Sequence, residues 1–248
     1  MHSRKPWLLV LLLLCSSANA ADNAAAARAI VDKAIEAAGG EAELVKYKGF
    51  TAKMKGDLVL GEAKIAFSGD VAAQGADQDK AALTLDIAGQ TLVIVHVLNK
   101  DKGWLKVGDT TMDMSPEQLA EAQEEAHLGW LASLTPLREK SCTLDVVGEF
   151  KVGEKSAVAI RVSSAGRRDV NLFFDKQTYF LIKTEGRVKD EMTGEEVTEE
   201  KYFSDFDIKN LAAPLKVNIT RNGKPFLDAT LSDIKYEAKL DDSVFAKP

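Results

Sequence analysis

A β-hairpin pattern in residues 168–183 most constrains what this chain can fold into. Apolar Val170, Leu172 and Phe174 alternate with other residues, four polar turn residues follow at 175–178, and a second apolar run comes directly after them. This alternation, a turn and a second run are typical of two antiparallel strands. The sequence therefore predicts a hairpin here, and the same pattern recurs along most of the chain.

The recurring pattern predicts a large antiparallel sheet. The predicted strands are 50–60, 63–73, 80–87, 90–98, 101–107, 110–114, 143–149, 156–163, 169–174, 179–188, 195–206, 215–221 and 224–235. Most of the connections are too short for a parallel crossover, which needs a dozen or more residues. Asn222 and Gly223 form the strongest short hairpin signal. No alternation of strands with helices indicates a parallel sheet.

Two longer segments have a helical pattern. In residues 22–38 an apolar stripe recurs at helical spacing, Asp22 or Asn23 can cap the start, and two glycines follow the end. In residues 115–137 Ser115, Pro116 and Gln118 form a helix-start signal, and Pro136 is expected to stop the helix. Strands and helices together predict an α+β domain with one large, strongly curved antiparallel sheet.

At this point the chain resembles the LolA/LolB-type lipoprotein-carrier superfamily, in particular its secreted bacterial relatives. The resemblance rests on the order of helices and strands, on Phe-Asp-Lys-Gln-Thr-Tyr-Phe-Leu-Ile-Lys-Thr-Glu at residues 174–185, and on the ending at 239–245. It implies a LolA-like unclosed β-barrel wrapped around covering or plugging helices, with an apolar cavity for acyl chains. Tyr179 departs from the glycine usual in that turn. No motif carries over individual functional residues.

The first twenty residues have the features of a secretory signal peptide. Arg4 and Lys5 precede an apolar run at 7–14, and Ala18, Asn19 and Ala20 form an Ala-x-Ala cleavage site. The expected mature chain is one domain, residues 21–248, in the periplasm or another extracytoplasmic compartment.

Only one cysteine remains after this cleavage, so the mature chain cannot form an intramolecular disulfide. Leu14 breaks the lipoprotein pattern before Cys15, so a lipid anchor on Cys15 is not expected. The remaining cysteine, Cys142, opens a strand-like run and is expected to be buried.

The charge of the chain argues against two classes of partner. It carries 32 basic and 38 acidic residues, a formal charge of −6, and loss of the basic leader makes it more acidic. Nucleic acids and anionic membrane surfaces both select a basic footprint. We therefore expect no nucleic-acid partner, and no second apolar run predicts a stable membrane span.

No residue pattern predicts catalysis, a metal or a cofactor. His96 lies in an apolar strand and His127 in the middle helix, without the spacing of a zinc site, and no Gly-x-Ser-x-Gly elbow is present. Arg161, Arg167 and Arg168 form a small basic cluster that could contact an anionic head group. The alternative is that Arg167 and Arg168 pair with nearby acids. The expectation is a protein that is not an enzyme.

A surplus of large apolar residues on covering elements indicates where a ligand could lie. These ligand-binding candidates are Trp130, Leu131, Leu134 and Leu137 on the middle helix and Phe173 and Phe180 on the hairpin. They either pack solidly or line a cavity. The first interpretation predicts an envelope protein-protein interaction domain without a cavity. The second, which we favour, predicts a non-enzymatic binding protein for a lipid or a lipidated partner.

Overall fold

A computed structural model describes residues 15–190 and 193–248. For residues 15–20 it describes the backbone alone. The charged and apolar parts of the predicted signal peptide, residues 1–14, lie outside the described residues, so the leader stays a prediction.

The described residues form one sheet of thirteen antiparallel strands. Six come before the middle helix: β1 Gly49–Leu60, β2 Ala63–Gln74, β3 Gln78–Ile87, β4 Gln90–Asn99, β5 Lys102–Val107 and β6 Thr110–Asp113. Seven come after it: β7 Cys142–Val152, β8 Lys155–Ser164, β9 Val170–Asp175, β10 Leu181–Lys189, β11 Glu196–Asp207, β12 Ala213–Arg221 and β13 Lys224–Glu237. Each predicted strand is therefore present, because alternation and turn residues are local signals.

The strand order makes the sheet an unclosed barrel. It runs β6-β5-β4-β3-β2-β1-β13-β12-β11-β10-β9-β8-β7, so two meanders are joined where β1 pairs antiparallel with β13. The outer strands β6 and β7 have no pairing with each other. The predicted α+β class, with a large open antiparallel barrel and covering helices, is confirmed.

Within the described residues, three α-helices cover this sheet: α1 Cys15–Ala37, α2 Glu41–Leu44 and α3 Pro116–Ala132. The start of α3 is a capping box, as predicted: Ser115 Oγ accepts from the Gln118 amide at 3.2 Å, and Gln118 Oε1 accepts from the Ser115 amide at 2.9 Å. The predicted end at Pro136 is wrong, because α3 ends at Ala132. Leu134 takes a left-handed backbone with φ 73°, and a short 3-10 turn, Thr135–Arg138, leads to β7.

The unusual Tyr179 leaves the hairpin turn in a glycine-like conformation. Its φ is 58°, the left-handed region in which glycine is favoured. The carboxylate of Asp175 accepts from the amides of Gln177 and Thr178 at 2.7 and 3.0 Å, which holds the turn. Lys33 of α1 lies over the Tyr179 ring at 4.9 Å. A tyrosine can therefore occupy this position, with a contact to α1 that glycine lacks.

Asn23 has a different role from the predicted helix cap. Because α1 begins at Cys15, Asn23 lies within the helix and faces the edge strand β7. Its Nδ2 donates to the Val146 carbonyl at 3.2 Å, and the Val146 amide donates to its Oδ1 at 2.5 Å. The side-chain amide thus imitates a neighbouring strand and satisfies backbone groups at a sheet edge, where exposed groups invite unwanted pairing.

We expect Asn23→Ala to lower the free energy of unfolding by about 1–2 kcal/mol, because two backbone groups of β7 lose their partners. Urea unfolding measures the change. Asn23→Asp, which keeps the acceptor and loses the donor, should fall between the alanine variant and the parent. Asp22→Ala, at an exposed position, is the surface control, and equal effects of Asn23→Ala and Asp22→Ala would contradict this role.

The helices fill only one part of the concave face. α1, the end of α3 and the following 3-10 turn pack on β7, β8 and β9 in one hydrophobic core. Its fully buried members include Val31, Leu131, Leu137, Leu144, Ile160, Leu172 and Phe174. Cys142 is 2% exposed, so its predicted burial is confirmed. Among the described residues, no helix is both long enough and apolar enough to cross a bilayer.

Candidate ligand-binding cavity

A cavity of about 370 Å³ lies beside this core. Its walls come from the concave face of β10 to β13 and of β1, and its roof comes from α1, from the end of α3 and from the segment after α3. The volume falls in the range of small-molecule sites, roughly 300–1,000 Å³. The cavity therefore occupies the part of the half-barrel that the helices do not fill.

The walls are apolar and incompletely packed. Side chains from the strands are Phe50, Phe203, Phe206, Val217, Leu231, Ile234 and Tyr236, and each of them is half-buried. The corresponding residues of β7 to β9, such as Leu144 and Leu172, are at most 1% exposed. The same sheet thus has a filled half and an unfilled half.

Two features distinguish the residues that line the cavity. Gly129 of α3 contributes no side chain, and a methyl group added to it would meet no atom within 4 Å. Leu134, Leu211 and Ala212 all line the cavity with left-handed backbones, with φ between 49° and 73°. Such conformations are unfavourable for non-glycine residues and often occur at ligand sites.

The six ligand-binding candidates from the sequence occupy three environments. Leu134 and Phe180 line the cavity, and the Phe180 ring lies 4.9 Å from that of Phe206. Leu131 and Leu137 are buried in the core beside it, with Trp130 packed against that core. Phe173 is buried in a different cluster, with its ring 5.5 Å from the Phe150 ring. The structure therefore brings two of the six together in the cavity.

Several lining residues are absent from the sequence-based candidates. Phe203 and Tyr236 belong to strands with clear alternation, but alternation shows only that a residue shares a face with its neighbours. Gly129 contributes by having no side chain, which no hydrophobic pattern reveals. Their common location follows from the pairing of β1 with β13, which joins distant parts of the chain.

A charged network lies at the edge of the cavity beneath α3. Lys201 Nζ, from β11, lies 3.1 Å from Glu125 of α3 and 3.3 Å from Glu199. Arg221 of β12 contacts Glu199 at 3.0 Å and Asp190 at 3.3 Å. Burial alone would lower the pKa of Lys201, but the two carboxylates raise it above its ordinary value. Lys201 therefore remains charged and ties α3 to the sheet.

Asp79 of β3 faces the same interior. Its carboxylate lies 3.9 Å from His96 Nδ1, and burial, followed by the nearby Glu125, raises its pKa to about 7, against an opposing effect of Lys201. The side chain is 38% exposed, so water in the open barrel screens part of this effect. Folding therefore favours the protonated form of this carboxyl group near neutral pH.

We expect this carboxyl group to make stability fall as pH rises. The folded-state pKa is raised, so the folded protein keeps a proton that the unfolded chain releases, and the free energy of unfolding declines from about pH 4 through pH 7. The free energy of unfolding of Asp79→Asn, relative to that of the parent, should therefore be higher at pH 8 than at pH 4. The expected difference is on the order of 1 kcal/mol after solvent screening.

Urea unfolding across this pH range measures the difference. Asp109→Asn, in the exposed turn between β5 and β6, is a matched charge-removal control. A stability difference for Asp79→Asn that is constant with pH would contradict the expectation.

The other polar residues that the sequence marks as candidates, Arg167, Arg168 and His127, are held in ion pairs or buried. Arg167 contacts Glu124 at 3.0 Å and Arg168 contacts Glu121 at 2.7 Å, which confirms the ion-pair alternative for these two arginines. His127 is buried, with its ring 5.5 Å from that of Trp130, and burial, with a smaller effect of Arg167, lowers its pKa. In the described part of the chain, no group of three or more metal-ligating side chains is present.

Comparison with known proteins identifies the fold. A scan against protein-family models finds no match, and neither does a search of curated proteins. Among solved structures, a LolA superfamily protein from Nitrosomonas europaea matches with 14% identity, a TM-score of 0.56, and coverage of 89% of this chain and 97% of that one. A domain named for outer membrane lipoprotein sorting, from Vibrio parahaemolyticus, matches with 13% identity, a TM-score of 0.56, and coverage of 91% and 98%.

A third similar structure is a DUF1329 family protein from Desulfovibrio piger, with 11% identity, a TM-score of 0.58, and coverage of 89% of this chain and 97% of that one. These matches extend over nearly the whole of each neighbour, so the similarity concerns the entire fold. The predicted resemblance to the LolA superfamily is confirmed at the level of fold.

Proposed function

We propose that this chain is a non-enzymatic extracytoplasmic binding protein that holds an acyl chain of a lipid or lipidated partner in the cavity. One observation carries the proposal: the half-barrel has an apolar space of about 370 Å³ directly beside a core in which the helices pack fully. Function rests on burial of apolar surface and needs no catalytic group.

The energetics of burial suit such a ligand. Each methylene removed from water contributes about 0.8 kcal/mol, so burial of ~10 methylenes offers about 8 kcal/mol before the cost of association is subtracted. In this proposal the roof moves to admit the ligand, and no strand pair between β6 and β7 has to break for that movement. Leu134 and Phe180, with the aromatic residues of β11 and β13, would contact the bound acyl chain.

One structural neighbour is named for outer membrane lipoprotein sorting. We extend the idea of a lipidated cargo to this chain as part of the proposal. The sequence supports an extracytoplasmic location for this protein, because cleavage of the predicted signal peptide after Ala20 would release a single domain, residues 21–248, outside the cytoplasm. Intact mass of the exported protein tests this cleavage, and an acylated Cys15 at the N-terminus would contradict it.

Native mass spectrometry of the exported protein, purified without detergent, tests the proposed function. The expected result is a mass above that of residues 21–248, with the excess recovered by organic extraction as acyl-containing lipid. A bare mass, together with no uptake of added lipid, would contradict the proposal.

A second candidate function, docking of an envelope protein on the outside of the half-barrel, has its own observation. Next to the cavity mouth, Ile208 is 74% exposed and Tyr47 is 38% exposed, and both border one shallow depression. In this alternative the apolar rim binds the partner and the cavity stays empty. Ile208→Asp should then abolish partner capture, whereas in the carrier function it should leave uptake of free lipid intact, because Ile208 does not line the cavity.

A further inference from the structure

An unpartnered polar atom lies in the apolar cavity. Thr184 of β10 lines the cavity and is 1% exposed, and within the described residues its Oγ1 has no hydrogen-bond partner. A buried hydroxyl without a partner costs free energy that a bound ligand can recover. Thr184 can both donate and accept through this group.

The position of Thr184 places this hydroxyl at the charged end of the cavity. Thr184 is the direct cross-strand partner of Lys201 on β11, and directly opposed residues share a face of the sheet. Lys201 also lines the cavity. The hydroxyl and the charged network therefore meet at one end of a mostly apolar space, which we call its polar end.

The charges at this end disfavour an anionic ligand. The network joins the cations Lys201 and Arg221 to three carboxylates, those of Glu125, Glu199 and Asp190. Lys201 is the member of this network that lines the cavity, and each of the two cations is already paired with two carboxylates. A ligand carboxylate entering here would therefore lose its hydration beside cations whose charge is already neutralised. A neutral acceptor avoids that penalty.

We infer that the polar end of the cavity selects the neutral carbonyl group of an acyl ester or amide, with Thr184 Oγ1 donating to it, and discriminates against the free carboxylate of a fatty acid. The inference rests on the proposed function and specifies its ligand class. A methylene chain would extend from this end along the apolar walls. Ester and amide carbonyls occur both in membrane lipids and in acylated proteins.

Binding of three probes with equal chain length tests the inference. Methyl palmitate, palmitate and hexadecane displace a fluorescent apolar dye from the full mature chain at pH 8, where palmitate is ionised. We expect the ester to bind at least tenfold more tightly than palmitate. Thr184→Val, which keeps the shape and removes the hydroxyl, should weaken ester binding about fivefold to tenfold and leave hexadecane binding unchanged. Thr184→Ser should restore ester binding.

Each outcome of this experiment has one meaning. Equal ester affinities for Thr184→Val and the parent, or tighter binding of palmitate than of the ester, would overturn the inference and leave the proposed function standing if hexadecane still binds. Failure of all three probes would overturn both. Thermal unfolding of Thr184→Val checks its fold, and removal of an unpaired hydroxyl should not destabilise it.

Native mass spectrometry then distinguishes the two sources of the carbonyl group. Retention of a phospholipid offered in phosphatidylethanolamine vesicles identifies a membrane lipid. Retention of a synthetic diacylated lipopeptide in preference to it identifies an acylated protein. Uptake of neither ester would overturn the inference.

Discussion

Replacing Gly129 with phenylalanine is expected to abolish acyl-chain uptake while the protein stays folded. Gly129 lies on α3 in the roof of the cavity, and a Cβ placed there meets open space. A phenylalanine ring at this position would occupy the volume that the bound acyl chain needs. Because phenylalanine favours the helix more than glycine does, by roughly 0.5 kcal/mol, the backbone should tolerate the change.

Gly129→Ala is the matched control for this variant. It should raise the free energy of unfolding by about 0.5–1 kcal/mol and leave uptake nearly unchanged, because a methyl group removes little volume. Dye displacement by hexadecane measures uptake, and we expect Gly129→Phe to weaken it by at least a hundredfold. If Gly129→Phe is folded and binds hexadecane as the parent does, the ligand site lies elsewhere.

Truncation of Leu137 is expected to have the largest effect on stability, a loss of about 2–5 kcal/mol in Leu137→Ala. Leu137 is 0% exposed and belongs to the core between the helices and β7 to β9, so its removal leaves a void that neighbouring residues fill poorly. Urea unfolding measures this loss. Uptake per folded molecule should be unchanged, because Leu137 does not line the cavity.

Leu134→Ala, three residues earlier, is the comparison that separates core from cavity. Leu134 belongs to the same core as Leu137 but also lines the cavity, so part of its surface faces unfilled space and its truncation should cost less than that of Leu137. It should also alter hexadecane affinity. Equal stability losses, with uptake unaffected by either variant, would mean that both leucines act only in the core.

Most of this fold can be predicted from the sequence because its strands and helix starts depend on residues that are close together in the chain. Alternation and short turns reveal each strand, and the capping residues Ser115 and Gln118 reveal the start of α3. A prediction from sequence is wrong where a contact with a distant part of the chain determines the role of a residue. Asn23 is a typical helix cap by residue type, but its amide pairs with Val146, more than a hundred positions away.

The sequence predicts the cavity lining less completely than it predicts the strands. Large apolar residues on covering elements point to Leu134 and Phe180, but the same criterion also selects Leu137, which lies in the core and does not line the cavity. A hydrophobic pattern shows that a side chain avoids water, and both a packed core and a cavity satisfy that condition. Thr184 and Gly129 have no apolar bulk, so the pattern does not select them.

The secondary structure, the antiparallel meander and the α+β class can be read from the sequence, because periodicity and turn chemistry act between near neighbours. The part of the concave face that the helices fill is apparent only in the folded structure. That depends on the pairing of β1 with β13 and on the attachment of α1 to the edge strand β7, both contacts between distant segments. The same contacts place Thr184, Lys201 and Gly129 around one space, where a filled half of the sheet meets an unfilled one.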